Sequence, residues 1–452
     1  MIDVSTAFFI ISLVIGIGYL GTIIFKKTKV SEILILLSVG LLIGPFSSYL
    51  GPQGAGIIPF EVIGAEQLKL FEGFLPFFSA FALTIILFEG GLHLNFFKVI
   101  KFLGESFAFT LLVFLLSTAF VFIVFWFGSA FGVFSFNPLV GLMLGAILGG
   151  TSSEIVIPLI NKTSANEETK TLLSIESALT DALCVVIAVA IAEIILLQSF
   201  NASHIGSKIL SAFTIAGFFG LVFGLFWLKI LDHLKGKPYE YLLTLGALLF
   251  LYSFSVFFGG NGAIAALTFG LVLGNSEDIT RMLRLTQRSV DSSIKSFQEE
   301  VSFLVRTFFF VYLGVLFKLE FLTLPMLALS LVLFVLLIAA RYAGATFIKK
   351  FKPVFAKDRK LITTMAARGL ASAVLISLPL SMGLQLEKDT IDMITTVVFL
   401  VIFLSNIIAT LGVFVAEKEN GKEKKEAVEE KATVSEDQQS KIRLETIGEQ
   451  ED

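Results

Sequence analysis

Two carboxylates lie inside one apolar stretch of the chain, residues 173–188, and their type and spacing point to ion chemistry. Glu176 and Asp181 are surrounded there mainly by leucine, isoleucine, alanine and valine. A charge near the middle of a bilayer costs roughly 2.5–3.5 kcal/mol, so a chain rarely keeps one without a partner or a task. We interpret Asp181 as the ion-carrying group and Glu176 as the partner of a buried arginine.

The depth of Asp181 follows from the polar lead-in to this stretch. Lys170 precedes Asp181 by eleven residues, which places the carboxylate roughly 16 Å along a helix and near the middle of a ~30 Å hydrocarbon layer. Ser177 lies four residues before Asp181 and shares its helix face, whereas Glu176 points to a different side. The pattern predicts a polar Ser177–Asp181 face at the membrane midplane.

The composition is that of a polytopic membrane protein. Of the 452 residues, 56% are hydrophobic and 16% are charged, and the mean hydropathy is +0.89, whereas a soluble domain has about 25% charged residues. The single cysteine, Cys184, excludes an intramolecular disulfide and argues against a cysteine-based metal cluster. The first residues have neither a basic lead nor a cleavage site, so we expect no signal peptide and a retained first helix.

Long apolar runs separated by polar breaks predict an all-α protein with about thirteen transmembrane helices. The predicted spans are 5–25, 30–46, 70–92, 104–127, 138–160, 171–197, 208–230, 240–258, 262–275, 296–317, 324–348, 360–380 and 390–415. Alternate connections carry about 20 basic residues against about 4 in the others, which puts the N-terminus outside and the C-terminus in the cytosol. Residues 1–416 then form the membrane domain. Residues 417–452 form a charged cytosolic tail with too little apolar content to fold alone.

Two of these spans contain residues that favour a break in the helix. The fifth has Gly149-Gly150-Thr151-Ser152-Ser153-Glu154 with Pro158 beyond, and the twelfth has residues 367–372 with Pro379 beyond. In an unwound stretch, freed carbonyls and the hydroxyls of Thr151 and Ser152 would be hard oxygen ligands that suit an alkali cation. The alternative is a packing kink in which the hydroxyls bond back to the preceding turn.

Four further ionisable residues lie inside predicted spans, namely Glu89, Arg306, Arg341 and Arg368. Arginine stays protonated at any relevant pH, so each arginine needs a carboxylate or several carbonyls. Glu176 is the best-placed candidate partner. We therefore predict buried ion pairs that involve Glu176 and these three arginines.

Short glycine-containing blocks recur in the two halves of the chain. Residues 40–44 end the second span and residues 270–274 end the ninth, while residues 87–92 and 311–315 occupy matching places in the third and tenth. The two blocks of each pair lie seven spans apart. Because seven is an odd number, corresponding helices of the two halves would cross the membrane in opposite directions. Inverted repeats are typical of transporters and place the site where broken helices meet. The alternative is that small-residue pairs simply mark helix contacts.

Six blocks resemble, in order, the recurring blocks of the monovalent cation–proton antiporter superfamily, and are most similar to NhaP/NHE-type sodium–proton antiporters. Residues 175–181, Ile-Glu-Ser-Ala-Leu-Thr-Asp, resemble that branch's Glu-Ser-x-x-Asn-Asp motif. The other blocks are Leu87-Phe-Glu-Gly-Gly-Leu92, Gly259-Gly-Asn-Gly-Ala-Ile-Ala265, Gly270-Leu-Val-Leu-Gly-Asn275, Phe308-Phe-Phe-Val-Tyr-Leu-Gly314 and Ala367-Arg-Gly369. The resemblance runs over residues 5–415.

The resemblance implies a homodimer in which a dimerisation domain supports a six-helix core domain with crossing broken helices. The core would move between outward-facing and inward-facing states. The resemblance also implies that Asp181 binds either a monovalent cation or a proton. Ser177, Thr180 and the Thr151 region would be co-ligands, and Glu89 would contribute through water.

The resemblance extends to two arginines and includes two departures. Arg341 is similar by position to the arginine that pairs with the counterpart of Glu176, and Arg306 lies where electrogenic relatives carry a lysine. Thr180 replaces the residue that is aspartate in electrogenic relatives, which favours one proton per cation. The family's Thr-Asp-Pro is Thr151-Ser152-Ser153 here, so a carboxylate is missing. Glu154, two positions later, could substitute for it, or a site poorer in charge could favour K⁺.

These features predict a secondary antiporter, and not an enzyme, in the cytoplasmic membrane. It would exchange Na⁺, or alternatively K⁺ or Li⁺, for H⁺ by alternating access, with competition at Asp181 and a role in pH homeostasis. We expect no cofactor besides the transported ions, and we expect membrane lipid and a second copy as partners, without nucleic acid. A passive cation channel is a second hypothesis, although the charged residues cluster at one depth. A membrane sensor that signals through the tail is a third.

Overall fold

The computed structural model describes residues 4–28, 30–46, 65–94, 104–132, 137–197, 202–234, 237, 239–282 and 292–415. Within these ranges the chain is helical and contains no β-strand. Helices satisfy their own backbone groups, which lipid cannot do, so long apolar segments in a membrane become helices. The predicted all-α class is therefore confirmed, while the predicted tail, residues 417–452, lies outside the described residues.

The helices follow one another with short connections. In chain order they are α1 (Val4–Thr28), α2 (Glu32–Ile43), α3 (Ala65–His93), α4 (Glu105–Ala130), α5 (Pro138–Gly149), α6 (Ser153–Ile160), α7 (Glu167–Leu197), α8 (Ala202–Leu234), α9 (Glu240–Phe257), α10 (Gly262–Gly274), α11 (Ser276–Met282), α12 (Ser292–Leu316), α13 (Leu324–Phe351), α14 (Arg359–Thr364), α15 (Leu370–Leu375), α16 (Leu378–Ser381) and α17 (Lys388–Val415). Two 3-10 turns, Leu319–Phe321 and Pro353–Ala356, flank α13.

Eight helical segments of the described chain are long and apolar enough to cross a membrane. They are Ile11–Thr28, Glu105–Ala130, Pro138–Ile160, Glu167–Leu196, Leu210–Leu234, Glu240–Phe257, Leu324–Phe351 and Lys388–Val415. Shorter apolar helices are Glu32–Ile43, Phe77–His93 and Gly262–Gly274. Each of the thirteen predicted spans falls on a helix or on a set of helix fragments, and the number of crossings stays a prediction.

Two spans are broken where the sequence predicts a break. Helix α5 ends at Gly149, Gly150 is extended, and α6 begins at Ser153, while residues 365–369 separate α14 from α15. The two breaks touch, since the Ser152 N–H donates to the Ala367 carbonyl at 2.9 Å. A Cβ on Gly369 would collide with the Ser152 side chain, so the crossing requires glycine there. The crossing leaves helix ends facing one another inside the protein.

The glycine blocks pack against each other in two interfaces. Helix α2 meets α12, where a Cβ on Gly314 would lie 2.7 Å from the Gly40 Cα. Helix α3 meets α10, where a Cβ on Gly274 would lie 2.8 Å from the Leu92 Cα. Small residues let backbones approach this closely. A repeat that relates α2 to α10 and α3 to α12 would map the α2–α12 interface onto the α10–α3 interface. The inverted repeat itself stays a prediction.

Candidate ion site

Asp181 lies beside the start of α6. Its Oδ2 accepts the Ser153 N–H at 2.9 Å and the Ser153 hydroxyl at 2.7 Å. The first N–H groups of a helix have no partner within it and carry partial positive charge, so a carboxylate is stabilised there. The break at residues 150–152 is what exposes this helix end to α7. The unwound segment therefore holds Asp181 with neutral donors instead of a cationic side chain.

A cavity of about 980 Å³ reaches this carboxylate. Its lining includes Asp181, Ser152, Ser153, Glu154, Glu89 and Arg306, and also Lys26, Lys162 and Lys170. These three lysines belong to connections that the charge pattern assigns to the cytosol. Asp181 is half-buried at the cavity wall, and the cavity thus lies on the side that this prediction makes cytosolic.

Glu176 has no access to this cavity. Arg341 on α13 binds it through two bonds, Nη1 to Oε1 at 3.0 Å and Nη2 to Oε2 at 3.1 Å. The Thr151 hydroxyl adds a bond to Oε1 at 2.9 Å, and the Arg341 Nε donates to the Ile362 carbonyl at 2.6 Å. The side chains of Glu176 and Arg341 are 0% and 1% exposed. This carboxylate is fully engaged within the protein.

The predicted hydroxyl ligands point elsewhere in this structure. The Thr151 hydroxyl bonds Glu176, and the Thr180 hydroxyl lies 3.1 Å from the Thr151 N–H and 3.2 Å from its carbonyl. The Ser177 hydroxyl donates to the Ser174 carbonyl at 3.2 Å and is buried. Thr151 and Thr180 fasten the break to α7, whereas Ser177 bonds within α7, and their role as ion ligands with Asp181 stays a prediction. Ser152 lines the cavity, and its backbone N–H joins the two breaks.

Arg306 is paired with two carboxylates in the cavity wall. Its Nε lies 3.1 Å from Glu32 Oε1, and its Nη1 lies 3.2 Å from Glu154 Oε2. Its partners are therefore not Glu176, the candidate that the sequence suggests. Glu154 is occupied by this arginine and does not contact Asp181 as a replacement for the missing carboxylate. Glu89 lines the same cavity next to the Ser302 hydroxyl.

Arg368 corrects the prediction that it belongs to a buried ion pair. Within the described chain no carboxylate pairs with it, and its guanidinium donates to the carbonyls of Leu148, at 3.0 Å, and Ala366. The Leu148 carbonyl lies at the C-terminal end of α5, where unpaired carbonyls carry partial negative charge, and the Ala366 carbonyl lies in the break that follows α14. The arginine therefore compensates the negative end of α5 and a carbonyl of the second break, while Ser153 presents the positive end of α6 to Asp181.

Sequence reasoning missed two residues of this site, Ser153 and Glu32. Ser153 is the third of three consecutive hydroxyl residues at the predicted break, and its place as the first residue of α6 is the available signal. Glu32 begins α2 beside a basic connection, where an acidic residue is ordinary. Nothing in the sequence links it to Arg306, which is 274 residues away.

The site suits a monovalent cation or a proton better than a tightly bound metal. One carboxylate, one hydroxyl and a water-accessible cavity provide hard oxygen ligands with a single negative charge at Asp181. Among the described residues, no group of three or more His, Cys, Asp or Glu side chains could hold a metal ion. Either occupant would neutralise the same group, so the arrangement can bind the two in competition.

Comparisons with known proteins find similar membrane proteins. The chain matches the family model described as "Sodium/hydrogen exchanger, transmembrane" over residues 10–416. It is 28% identical over 332 residues to "Na(+)/H(+) antiporter 1" of Methanocaldococcus jannaschii, an alignment that covers 69% of this chain and 70% of that protein. It is 26% identical over 388 residues to "K(+)/H(+) antiporter NhaP2" of Shewanella sp. strain MR-4. That alignment covers 84% of this chain but only 62% of NhaP2.

Solved structures share the fold. The sodium proton antiporter MjNhaP1 from Methanocaldococcus jannaschii at pH 8 superimposes with a TM-score of 0.71 and 23% identity, covering 90% of this chain and 100% of that chain. A second structure of MjNhaP1, described as a 3D EM map, gives a TM-score of 0.65 and covers 92% and 98%. The crossing broken helices thus belong to a fold that other membrane proteins share.

Proposed function

Because the chain belongs to the transmembrane sodium/hydrogen exchanger family, we propose that it exchanges a monovalent cation for a proton through competition at Asp181. The observation that carries this proposal is the different state of the two carboxylates in the apolar middle of α7. Glu176 is buried and paired with Arg341, whereas Asp181 faces the cavity and accepts two hydrogen bonds from Ser153. Of these two carboxylates, Asp181 is the one available to a transported ion.

Coupling follows from the energy of an uncompensated charge. Moving a bare carboxylate through the membrane interior carries the penalty of several kcal/mol that applies to any intramembrane charge. A bound cation or a bound proton removes that charge, so only the occupied site crosses readily between the two faces. Because the apolar middle of α7 has one available carboxylate, Asp181, and has Thr180 at the preceding position, we infer one proton per cation and electroneutral exchange.

Substitution of Asp181 tests this function. Asp181→Asn keeps the shape and removes the charge, and we expect no cation-induced collapse of a proton gradient in everted vesicles. The matched control is Asp389→Asn, which removes an exposed aspartate near the start of α17 and should exchange like the wild type. Purified Asp181→Asn should elute and melt as the wild type does. Vigorous exchange by this variant would show that the Asp181 carboxylate is not required for transport.

The transported cation is Na⁺ in our main hypothesis and K⁺ in the second. Relatives named as Na⁺/H⁺ antiporters and relatives named as K⁺/H⁺ antiporters both align with most of this chain. The family motif has an aspartate that this chain lacks, and the carboxylate near that position, Glu154, is paired with Arg306. A panel of Na⁺, K⁺ and Li⁺ on protein in liposomes distinguishes them. We expect exchange with Na⁺ at the lowest concentration, and half-saturation at lower K⁺ than Na⁺ would establish the second hypothesis.

A homodimer with separate dimerisation and core domains completes the proposal for this multi-pass membrane protein. The likeness in fold to MjNhaP1 supports the domain arrangement. A passive channel is the competing function, and inversion of the proton gradient alone separates the two. An antiporter should then drive the cation in the opposite direction, whereas a channel should continue to follow the cation's own gradient.

A further inference from the structure

Arg306 is shared between two carboxylates that sit on different parts of the cavity wall. Glu32 contacts its Nε at 3.1 Å and Glu154 contacts its Nη1 at 3.2 Å. The three side chains are only 14–18% exposed, so solvent screens them weakly. The planar guanidinium presents donors in several directions and can hold both carboxylates at once.

The charges in this group do not cancel. Arginine is always protonated, so Glu32, Arg306 and Glu154 together carry one net negative charge when both carboxylates are ionised. The other acidic residues that line the cavity are Glu89, Glu167, Asp181 and Glu299, and the other basic ones are Lys26, Lys162 and Lys170. Six carboxylates thus face four basic side chains, so the lining is net negative when these groups are ionised, which favours entry of a cation.

The two partners of Arg306 are anchored differently. Glu32 belongs to α2, which packs tightly on α12 through Gly40 and Gly314. Its Oε2 also accepts the Thr22 hydroxyl of α1 at 3.0 Å. Glu154 belongs to α6 and directly follows Ser153, the residue that holds Asp181. Glu32 thus fixes this arginine of α12 to α2, while Glu154 carries its charge beside the ion site.

We propose that Glu32 is a positioning residue that sets the cation affinity of the Asp181 site by competing with Glu154 for Arg306. While Glu32 holds part of the guanidinium charge, Glu154 keeps negative potential close to Asp181. Without Glu32, Arg306 pairs with Glu154 alone and neutralises it, and the cavity loses one negative charge. This inference rests on the proposed exchange function and adds to it a residue that does not contact the ion.

The net charge of the group can be changed and then restored. Glu32→Gln brings it from one negative charge to zero, and adding Arg306→Gln returns it to one negative charge. Glu32→Asp keeps the charge with a shorter side chain. The control, Glu387→Gln, removes an exposed carboxylate remote from the cavity lining.

The experiment measures the cation concentration for half-maximal exchange and the maximal rate, with Na⁺ and K⁺ supplied to the cytosolic face in everted vesicles. We expect Glu32→Gln to raise the half-maximal concentration about three- to tenfold, as expected for one charge at this range, with the maximal rate within about twofold. Glu32→Asp and Glu387→Gln should resemble the wild type. The double variant Glu32→Gln/Arg306→Gln should return towards the wild-type value.

Several outcomes would overturn the inference. An unchanged half-maximal concentration in Glu32→Gln would do so, as would a fall in maximal rate alone, or a double variant no better than the single one. Thermal stabilisation of the purified proteins by Na⁺ and K⁺ gives an independent measure of binding. A wild type that is stabilised by the cation without exchanging it would reject the proposed function. If the cation concentration for half-maximal thermal stabilisation is the same in the wild type and in Glu32→Gln, the role of Glu32 is rejected while the proposed function is not.

Discussion

The apolar middle of helix α7 carries two carboxylates five residues apart, Glu176 and Asp181, and their surroundings differ in every respect that matters for transport. Glu176 receives two bonds from an arginine and one from Thr151, and it is 0% exposed. Asp181 receives two bonds from Ser153, both from neutral donors, and it faces the cavity. One carboxylate is compensated by the protein itself, while the other leaves its charge to be compensated by an ion.

The difference shows how one helix can serve both architecture and exchange. A buried carboxylate with a permanent cationic partner has no reason to release or bind anything, because its charge and hydrogen bonds are already satisfied. A carboxylate held by an amide N–H and a hydroxyl stays oriented but keeps its net charge. The breaks in α5/α6 and α14/α15 make this possible, since they supply the helix N-terminus that holds Asp181 and the carbonyls that hold Arg368.

The largest effect should come from separating Glu176 and Arg341. Glu176→Ala or Arg341→Ala leaves one buried charge without its partner, and we expect a loss of roughly 3–5 kcal/mol of stability with little folded protein recovered. The measurement is the yield and melting temperature of the purified protein. Glu176→Gln/Arg341→Met, which removes both charges, should recover part of the loss. Wild-type behaviour of both single variants would show that this contact is unimportant.

A smaller effect should follow from removing the hydroxyl that holds Asp181. Ser153→Ala keeps the N–H bond but removes one bond to a charged acceptor, a change of roughly 1.5–3 kcal/mol at most, so we expect exchange at a fixed low cation concentration to fall about tenfold. Ser177→Ala is the matched control, because that hydroxyl bonds the Ser174 carbonyl and not Asp181. Transport assays in liposomes measure both. An equal fall in exchange in the two variants would show that the Ser177 hydroxyl also contributes to the ion site.

The smallest effect should come from an ion pair that lies nearer to water. Lys318, which follows α12, bonds both carboxylate oxygens of Asp392 on α17 at 2.7 and 2.9 Å, and the side chains are 24% and 15% exposed. Lys318→Met should cost about 1 kcal/mol, less than the loss for Arg341→Ala, because both partners of this pair keep some contact with water and the remaining Asp392 can be solvated. Thermal melting measures it. A loss of stability as large as that of Arg341→Ala would mean that the two ion pairs do not differ in energy because of their different burial.

Much of the fold could be predicted from sequence, because it depends on local patterns. Apolar run length predicts the helices, and clustered glycine, hydroxyl and proline residues predict both breaks. Asp181 and Glu176 stand out because an intramembrane charge is rare and expensive. These features need no knowledge of which helices meet.

The details of the site could not be predicted, because they depend on how two breaks cross. Ser153, and not Thr151, faces Asp181 because α6 restarts at residue 153, and that start is fixed by the contact of Ser152 with Ala367. Arg368 is satisfied by carbonyls, which every residue has and no sequence pattern marks. Glu32 meets Arg306 only because α2 packs on α12.

The central claim is that one carboxylate binds either a proton or a cation, and the pH dependence of cation affinity tests it most directly. In liposomes containing the wild type, the half-maximal cation concentration should rise towards about tenfold for each unit by which the pH is lowered. The maximal rate at saturating cation should stay constant, since enough cation displaces the proton. A half-maximal concentration that does not change with pH, with a maximal rate that falls instead, would show that the two ions bind at separate places and would contradict the account.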